Sequence, residues 1–130
     1  MGKRGVITFS RPLRYRTRLA RMNDGSTQAV LVGIEKGIDV RIALDVMRLT
    51  MNDALDVALI FSQDQNLSEV ADEVRLVSVS QQRWIKVACA FPVGPGYANK
   101  RGINSTDWIR IDRETYDACI DPTDYRKNTK

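Results

Sequence analysis

The sequence predicts an α/β fold with a mainly parallel sheet, and three features in its middle carry that prediction. An amphipathic helix begins at Ile38, a continuous apolar run covers Val57–Phe61, and a second amphipathic helix precedes the apolar run Trp84–Phe91. Helices and strands that alternate in this order form a layered α/β fold with right-handed crossovers.

At 130 residues the chain is expected to form a single domain. We divide it into a basic N-terminal segment (1–27), a core (28–121) and a polar tail (122–130). Within the first part, Val6–Phe9 is predicted to be a short strand and Arg11–Gly25 an arginine-rich irregular segment. Gln28–Val32 is predicted to be a second strand.

The helix that begins at Ile38 is predicted from the separation of apolar and polar side chains. The polar face contains Arg41, Asp45, Arg48 and Asn52, and the spacing of Asp45 from the two arginines favours surface ion pairs. The opposite face carries the apolar residues expected to be buried: Val40, Ala43, Leu44, Met47 and Met51.

The apolar run Val57–Phe61 does not alternate, which is typical of a parallel strand covered on both faces in the middle of a sheet. Asn66–Glu69 has the form of a capping box that opens the next helix. Trp84–Phe91 is the next buried strand and is ended by Pro92. The apolar stripe of the helix between the two strands consists of Leu67, Val70, Ala71, Val74 and Val77.

A long loop is predicted between Pro92 and Thr106, because this stretch is rich in Gly, Pro, Asn and basic residues. It is too polar to belong to the core and too long for a plain connection, so a functional role is expected. Trp108–Ile111 is predicted to be a short strand and Arg113–Ile120 a last helix.

Charge is distributed unevenly along the chain. The first 22 residues carry a charge of +7, whereas the remainder carries −3. Strand-like Val6–Phe9 and Pro12 argue against an organelle presequence, so this segment is interpreted as mature protein. No apolar run reaches the roughly 20 residues of a membrane span.

The chain contains two cysteines and no histidine. Cys89 and Cys119 lack the spacing of a metal clip, and a pair of reduced thiols in a cytoplasmic protein is expected. The absence of histidine excludes Ser-His-Asp and Cys-His nucleophilic sites, which leaves carboxylates, lysine or a hard metal ion for any catalysis.

Ser62, Asp64 and Asn66 follow a predicted parallel strand, where ligands of open α/β sheets bind. Asp39 lies in the first turn of the preceding helix. Each residue also has an ordinary structural explanation: Asp39 would stabilise the helix dipole, while Asp64 and Asn66 would serve a turn and a cap.

Taken together, Lys36-Gly37-Ile38-Asp39-Val40 and Ser62-Gln63-Asp64-Gln65-Asn66 resemble the NYN family of the PIN-like ribonuclease superfamily. This resemblance covers Glu35 to Asp72 and implies a three-layer α/β/α, Rossmann-like fold that holds Mg²⁺ or Mn²⁺ and cuts RNA. Asp39 and Asp64 would bind the metal, and Asn66 stands where the family commonly has a second aspartate. Ser62 and Lys36 would orient ligand or phosphate.

The resemblance also implies that this chain begins after the first strand and helix of the family, which would supply another metal-binding aspartate. Such an N-terminally truncated domain would leave one flank of its central strand uncovered. A homodimer, or a partner chain that pairs with this flank, is therefore expected.

Contacts to RNA are predicted from the basic residues as well. Five arginines from Arg11 to Arg21, including Arg14 and Arg16, are interleaved with Tyr15, and Tyr97, Lys100 and Arg101 lie in the long loop. An arginine cluster can also be no more than a solvated edge. Asp107, next to that loop, either approaches the acidic site or begins a strand.

Two functions follow from these observations. The first is a metal-dependent endoribonuclease or RNA-processing domain. The alternative is a catalytically silent module that retains the nuclease fold and binds RNA or another chain, which the neutral Asn66 and the missing aspartate favour.

Overall fold

The computed structural model describes residues 5–124 and 126. The chain forms two compact units, one ending at Ile42 and the other beginning at Ala43. The first contains an antiparallel hairpin and the second a three-stranded parallel sheet, so the mixed α/β class is confirmed at this level.

The hairpin pairs β1 (Arg14–Arg21) with β2 (Thr27–Ile34), in a register that runs from Arg14 opposite Ile34 to Arg21 opposite Thr27. Its turn closes through the Gly25 N–H, which donates to the Met22 carbonyl at 3.0 Å, and Gly25 has a φ of +84°. A glycine with positive φ is the usual solution at this position.

The second strand was predicted correctly, but two predictions for the N-terminal part are wrong. Arg11–Gly25 is not irregular, since most of it forms β1. Val6–Phe9 is not a strand and lies exposed without regular structure. Arginine, tyrosine, threonine and leucine alternate in β1 with little burial, so its hydrophobic pattern gave no signal of a strand.

Helix α1 (Ile38–Met51) begins where predicted. The Ile38 N–H donates to the Glu35 carboxylate at 2.9 Å, which satisfies one of the free N–H groups of the first turn. The predicted apolar face is only partly correct: Val46 and Thr50 are the buried positions, while Leu44 and Met51 are exposed. The buried stripe is therefore rotated relative to the apolar one.

The parallel sheet has the order β3-β4-β5, with β3 at Val57–Phe61, β4 at Lys86–Pro92 and β5 at Asp107–Ile111. Strand β4 is central and almost wholly buried, as predicted for this apolar run, but it begins at Lys86 and includes Pro92, while Trp84 is exposed. The central position predicted for β3 is wrong, because β3 is an edge strand with only Ala58 and Ile60 buried.

The second helix was also predicted, but its start differs. Asp64, not Asn66, is the cap, and it opens a 3₁₀ turn (Gln65–Leu67) that continues into α2 (Ser68–Ser80). The buried side chains of α2 and the turn agree with the expected stripe except for Val77, which is only partly buried. The last helix, α3 (Arg113–Ala118), is shorter than predicted.

The long loop contributes to the core, contrary to expectation. Ile103 is fully buried, as are Phe91 and Cys89 of β4. Its N–H donates to Cys89 Sγ at 3.2 Å, and its carbonyl accepts from Trp108 Nε1 at 2.8 Å. The end of the loop is therefore fixed against β4 and β5.

Both cysteines are free thiols, with Cys89 buried and Cys119 exposed. None of the helices in the described part of the chain has the length and apolar character that crossing a bilayer requires.

Candidate nucleic-acid interface

The carboxyl end of β3 runs into a tight turn made by Ser62–Asn66. The Asp64 N–H donates to Ser62 Oγ at 3.0 Å, and the Asp64 carboxylate accepts from the Asn66 N–H at 2.9 Å. The turn-and-cap role considered for Asp64 is therefore confirmed. Since Asp64 is exposed, its second carboxylate oxygen lies within reach of solvent and ligands.

Gln63 and Gln65, which the sequence did not single out, attach the long loop to this turn. Gln63 Nε2 donates to the carbonyls of Asn99 at 3.1 Å and Arg101 at 2.9 Å. Gln65 Nε2 donates to the Gly102 carbonyl at 2.8 Å, and Gln65 Oε1 accepts from the Asn104 N–H at 3.1 Å. The only sequence signal for this role is the polar composition of the run itself.

This attachment brings four predicted site residues to one edge of the sheet. Ser62 and Asp64 lie in the turn, and Lys100 and Arg101 lie in the loop segment that Gln63 holds. Arg101 Nη2 donates to Asn104 Oδ1 at 2.9 Å, which orients the guanidinium within the loop. Two basic side chains and one carboxylate are thus presented together where parallel sheets bind ligands.

A cleft of about 840 Å³ opens at the carboxyl ends of β3, β4 and β5. Its volume is in the range of small-molecule sites, about 300–1,000 Å³. Aromatic and basic side chains line it together with Ser62: Phe61, Tyr97, Arg113 and Tyr116. Tyr97 was predicted to contact RNA, whereas Phe61 and Tyr116 were not.

The hairpin carries a basic stripe, formed by Arg14, Arg16 and Arg18. Alternation places these three side chains on one face of β1, opposite Ile34, Val32 and Val30 of β2. The face on the other side carries Tyr15, Thr17, Leu19 and Arg21. The predicted RNA contacts Arg14 and Arg16 therefore share a face, with Arg18 as a third member.

Arg11, Lys36 and Asp39 lie near the start of α1. A Cβ built on Gly37 would be 3.0 Å from Arg11 Nη1, so the Arg11 side chain reaches the turn that precedes the helix. Arg11 and Arg41 also both lie over the Phe9 ring, 5.4 and 4.7 Å from its centroid. Lys36 is exposed, and Asp39 is partly buried in the first helical turn.

Asp107 begins β5 at the amino end of the sheet, where it forms an ion pair with Lys86. Of the two roles considered for it, the start of a strand is the one observed. Asp45 pairs with Arg48 at 3.0 Å, as its spacing predicted.

The predicted metal ligands occupy different units, Asp39 the first and Asp64 the second. Within residues 5–124 and 126, no three Asp, Glu, Cys or His side chains come together in a group that could hold a metal ion. The donor set observed around Asp64 is one carboxylate and neutral oxygens, so the metal site stays a prediction.

Comparisons of the chain with protein-family models, with curated proteins and with solved structures found no match.

Proposed function

We propose that this protein is an RNA-binding domain of the NYN type, with the three-layer α/β/α architecture of the PIN-like superfamily. The substrate class is single-stranded RNA, and two surfaces are separate candidates for contacting it: the basic stripe of the hairpin for its phosphates and the aromatic cleft of the parallel sheet for its bases. The proposal rests on sequence resemblance together with the chemistry of these two surfaces.

The basic stripe is the observation that carries the proposal. Residues two apart on a strand are spaced about 6.6–6.8 Å, so Arg14, Arg16 and Arg18 form a regular row of cations. No acidic residue occurs in β1 or β2 to neutralise that row. Arginine also donates to phosphate oxygens in a bidentate manner.

The cleft supplies a second, chemically distinct contact. Tyr97 and Tyr116 present aromatic surfaces on which bases of any sequence can stack, with a gain of about 1–3 kcal/mol per base. Arg113 is held in place by Asp117, whose two carboxylate oxygens accept from its Nε at 2.8 and 2.9 Å. Lys100 and Arg101 add positive charge at the same edge.

Matched arginine substitutions test the proposal. Fluorescence anisotropy with labelled single-stranded RNA should show weaker binding for Arg16→Gln. The control is Arg21→Gln, which removes the same charge from the opposite face of β1. Equal losses of affinity in the two variants would show that binding depends on net charge and not on the stripe. No loss in either variant would refute RNA binding through the stripe.

A paired aromatic test addresses the cleft. Tyr97→Ala and Tyr116→Ala should weaken RNA binding, whereas Trp84→Ala, at the exposed amino end of the sheet, should not. If Trp84→Ala is the variant that loses binding, the cleft is not the base-binding surface.

RNA cleavage is the second candidate function, because Asp64 lies at the strand end where the resemblance puts a metal ligand. Mg²⁺ or Mn²⁺, if bound, would activate water and neutralise phosphate charge. Asp64→Asn should then abolish cleavage of labelled RNA in Mn²⁺. Asparagine keeps the capping ability of residue 64, so lost activity would not reflect a lost turn.

The control for the cleavage assay is Asp72→Asn, because Asp72 is exposed and pairs only loosely with Arg75 at 3.8 Å. Cleavage that persists in Asp64→Asn would refute the proposed catalytic site at Asp64. RNA binding without cleavage in the unmodified protein would favour the catalytically silent alternative.

A further inference from the structure

The outer edge of β3 is the apolar edge of the parallel sheet. Strand β3 pairs with β4 alone among the strands of residues 5–124 and 126. Its five residues, Val57–Phe61, are all apolar, without a charge, proline or glycine. Sheet edges of soluble proteins are normally protected by charged side chains or proline, because an unprotected edge pairs with other strands.

The opposite edge of the same sheet has this protection. Strand β5 contains Asp107 and Arg110, which would place charges along any strand added there. In β3, by contrast, alternate side chains are both apolar and exposed: Leu59 is 46% and Phe61 73% exposed. The difference between the two edges selects β3 as the docking edge.

We infer that β3 pairs with β3 of a second copy of this chain, antiparallel and across a two-fold axis at Leu59. This register places Val57 opposite Phe61 of the second copy, Ala58 opposite Ile60, and Leu59 opposite Leu59. Each small side chain then faces a larger one, and the central pair is apolar. The two sheets become one continuous sheet of six strands.

Charge favours a second copy as the occupant. No charged side chain falls within the paired segment, and the flanking Asp56 would lie opposite Ser62 of the second copy, so the two copies bring no like charges together. Self-complementarity of this kind is what an isologous two-fold interface requires. Since only five residues pair on each side, the interface is small, and we expect the dimer to dissociate on dilution.

The oligomeric state of matched arginine variants tests the edge. Sedimentation equilibrium at tens to hundreds of micromolar should give a dimer for the unmodified protein and for Ile109→Arg. Leu59→Arg should be a monomer, because two cations would meet at the axis. Ile109 is a fair control since it is 45% exposed on the same sheet face but lies on β5. A monomeric unmodified protein would overturn the proposal.

Disulfide cross-linking tests the register independently of stability. In a Cys119→Ser background, oxidised Leu59→Cys should form a covalent dimer, because facing Cα atoms in an antiparallel pair are about 4.5–5.5 Å apart. Val57→Cys should not form a covalent dimer, since residue 57 of the second copy would lie about 14 Å away along the strand.

Hairpin strand β2 also presents an uncharged edge, and its Leu31 is exposed. Cross-linking of Leu31→Cys but not of Leu59→Cys would assign the dimer to the hairpin and refute pairing through β3.

Discussion

Thr50 shows at the scale of one residue how a polar group can oppose folding. It is fully buried near the end of α1, and its Oγ1 has no hydrogen-bond partner within the described residues. An unsatisfied buried hydroxyl costs about 1–3 kcal/mol. Valine has nearly the same shape without that group.

We therefore expect Thr50→Val to raise the free energy of unfolding by about 1 kcal/mol, measured by urea denaturation. Thr106→Val is the control, because Thr106 Oγ1 donates to the Ile103 carbonyl at 2.8 Å and its removal should destabilise. A loss of stability in Thr50→Val would mean that the hydroxyl has a partner in solution.

Gly102 marks the point where the long loop meets the core. A Cβ at this position would lie 2.6 Å from Trp108 Cδ1 and 2.7 Å from Cys89 Sγ. Cys89 is fully buried, and the Trp108 ring is held by its hydrogen bond to the Ile103 carbonyl. Gly102→Ala should lower the free energy of unfolding by about 1–3 kcal/mol, as overpacking does. Gly33→Ala is the control: its closest neighbour, Leu13 Cδ1 at 3.1 Å, is the end of a flexible side chain.

The sequence could predict some of these residue roles and not others. The position of Ser62 and Asp64 follows from the rule for parallel sheets, because an apolar run that ends in polar residues identifies a strand end. Gln63 and Gln65 make contacts 36 to 39 residues away in the chain, and no periodicity records such contacts. The burial of Ile103 depends on the same attachment.

At the scale of elements, the side chain of Arg83 links the end of α1 to the start of β3. Its guanidinium donates to the carbonyls of Leu55 at 2.7 Å and Thr50 at 3.2 Å, and it pairs with Asp53 at 2.7 Å. The side chain is only 20% exposed. Lysine could not make several of these bonds at once, because it lacks the planar fork of donors.

Arg83→Lys should therefore lower the free energy of unfolding by about 2 kcal/mol, measured by urea denaturation. Arg75→Lys provides the comparison, because its ion pair with Asp72 is 3.8 Å long and mostly exposed, and such pairs contribute little. Equal effects of the two substitutions would contradict a linking role for Arg83.

Helix α3 depends on a cap that titrates. Asp112 accepts from the Thr115 N–H at 2.8 Å, and hydrogen bonds from Thr115 hold the pKa of this carboxyl below its usual value. A lowered folded-state pKa means that the cap stabilises the helix above the unfolded pKa and loses this effect as pH falls through the folded value.

The Thr115 amide resonance in NMR should accordingly shift only at a pH below the range in which an ordinary aspartate titrates. In Asp112→Asn the same resonance should not titrate, because asparagine caps without ionising. A Thr115 amide that is independent of pH in the unmodified protein would show that the cap is not formed in solution.

Helices and strands could be predicted from the sequence where a buried face leaves a pattern of apolar side chains. The helical periodicity of α2 and the apolar run of β4 reflect faces that are buried, so both were found. Strand β1 has almost no buried residue, and its alternating arginines resemble an irregular polar segment. An apolar run such as that of β3 can form either an edge strand or a central strand. Its composition therefore could not show where β3 lies in the sheet.

At the scale of the whole molecule, the polarised charge should control how RNA binding responds to salt. The first 22 residues carry +7 and the remainder −3, so attraction to phosphate concentrates in the N-terminal part and in the stripe Arg14, Arg16 and Arg18. Each phosphate contact to a single strand changes the slope of log affinity against log salt by about −0.7. Replacing all three arginines with glutamine should therefore make the slope less steep by about 2.

Anisotropy titrations between 50 and 300 mM KCl would measure the slopes of the unmodified protein and of the triple variant. Arg21→Gln should leave the slope within error of the unmodified protein, and an unchanged slope in the triple variant would contradict phosphate contacts by the stripe.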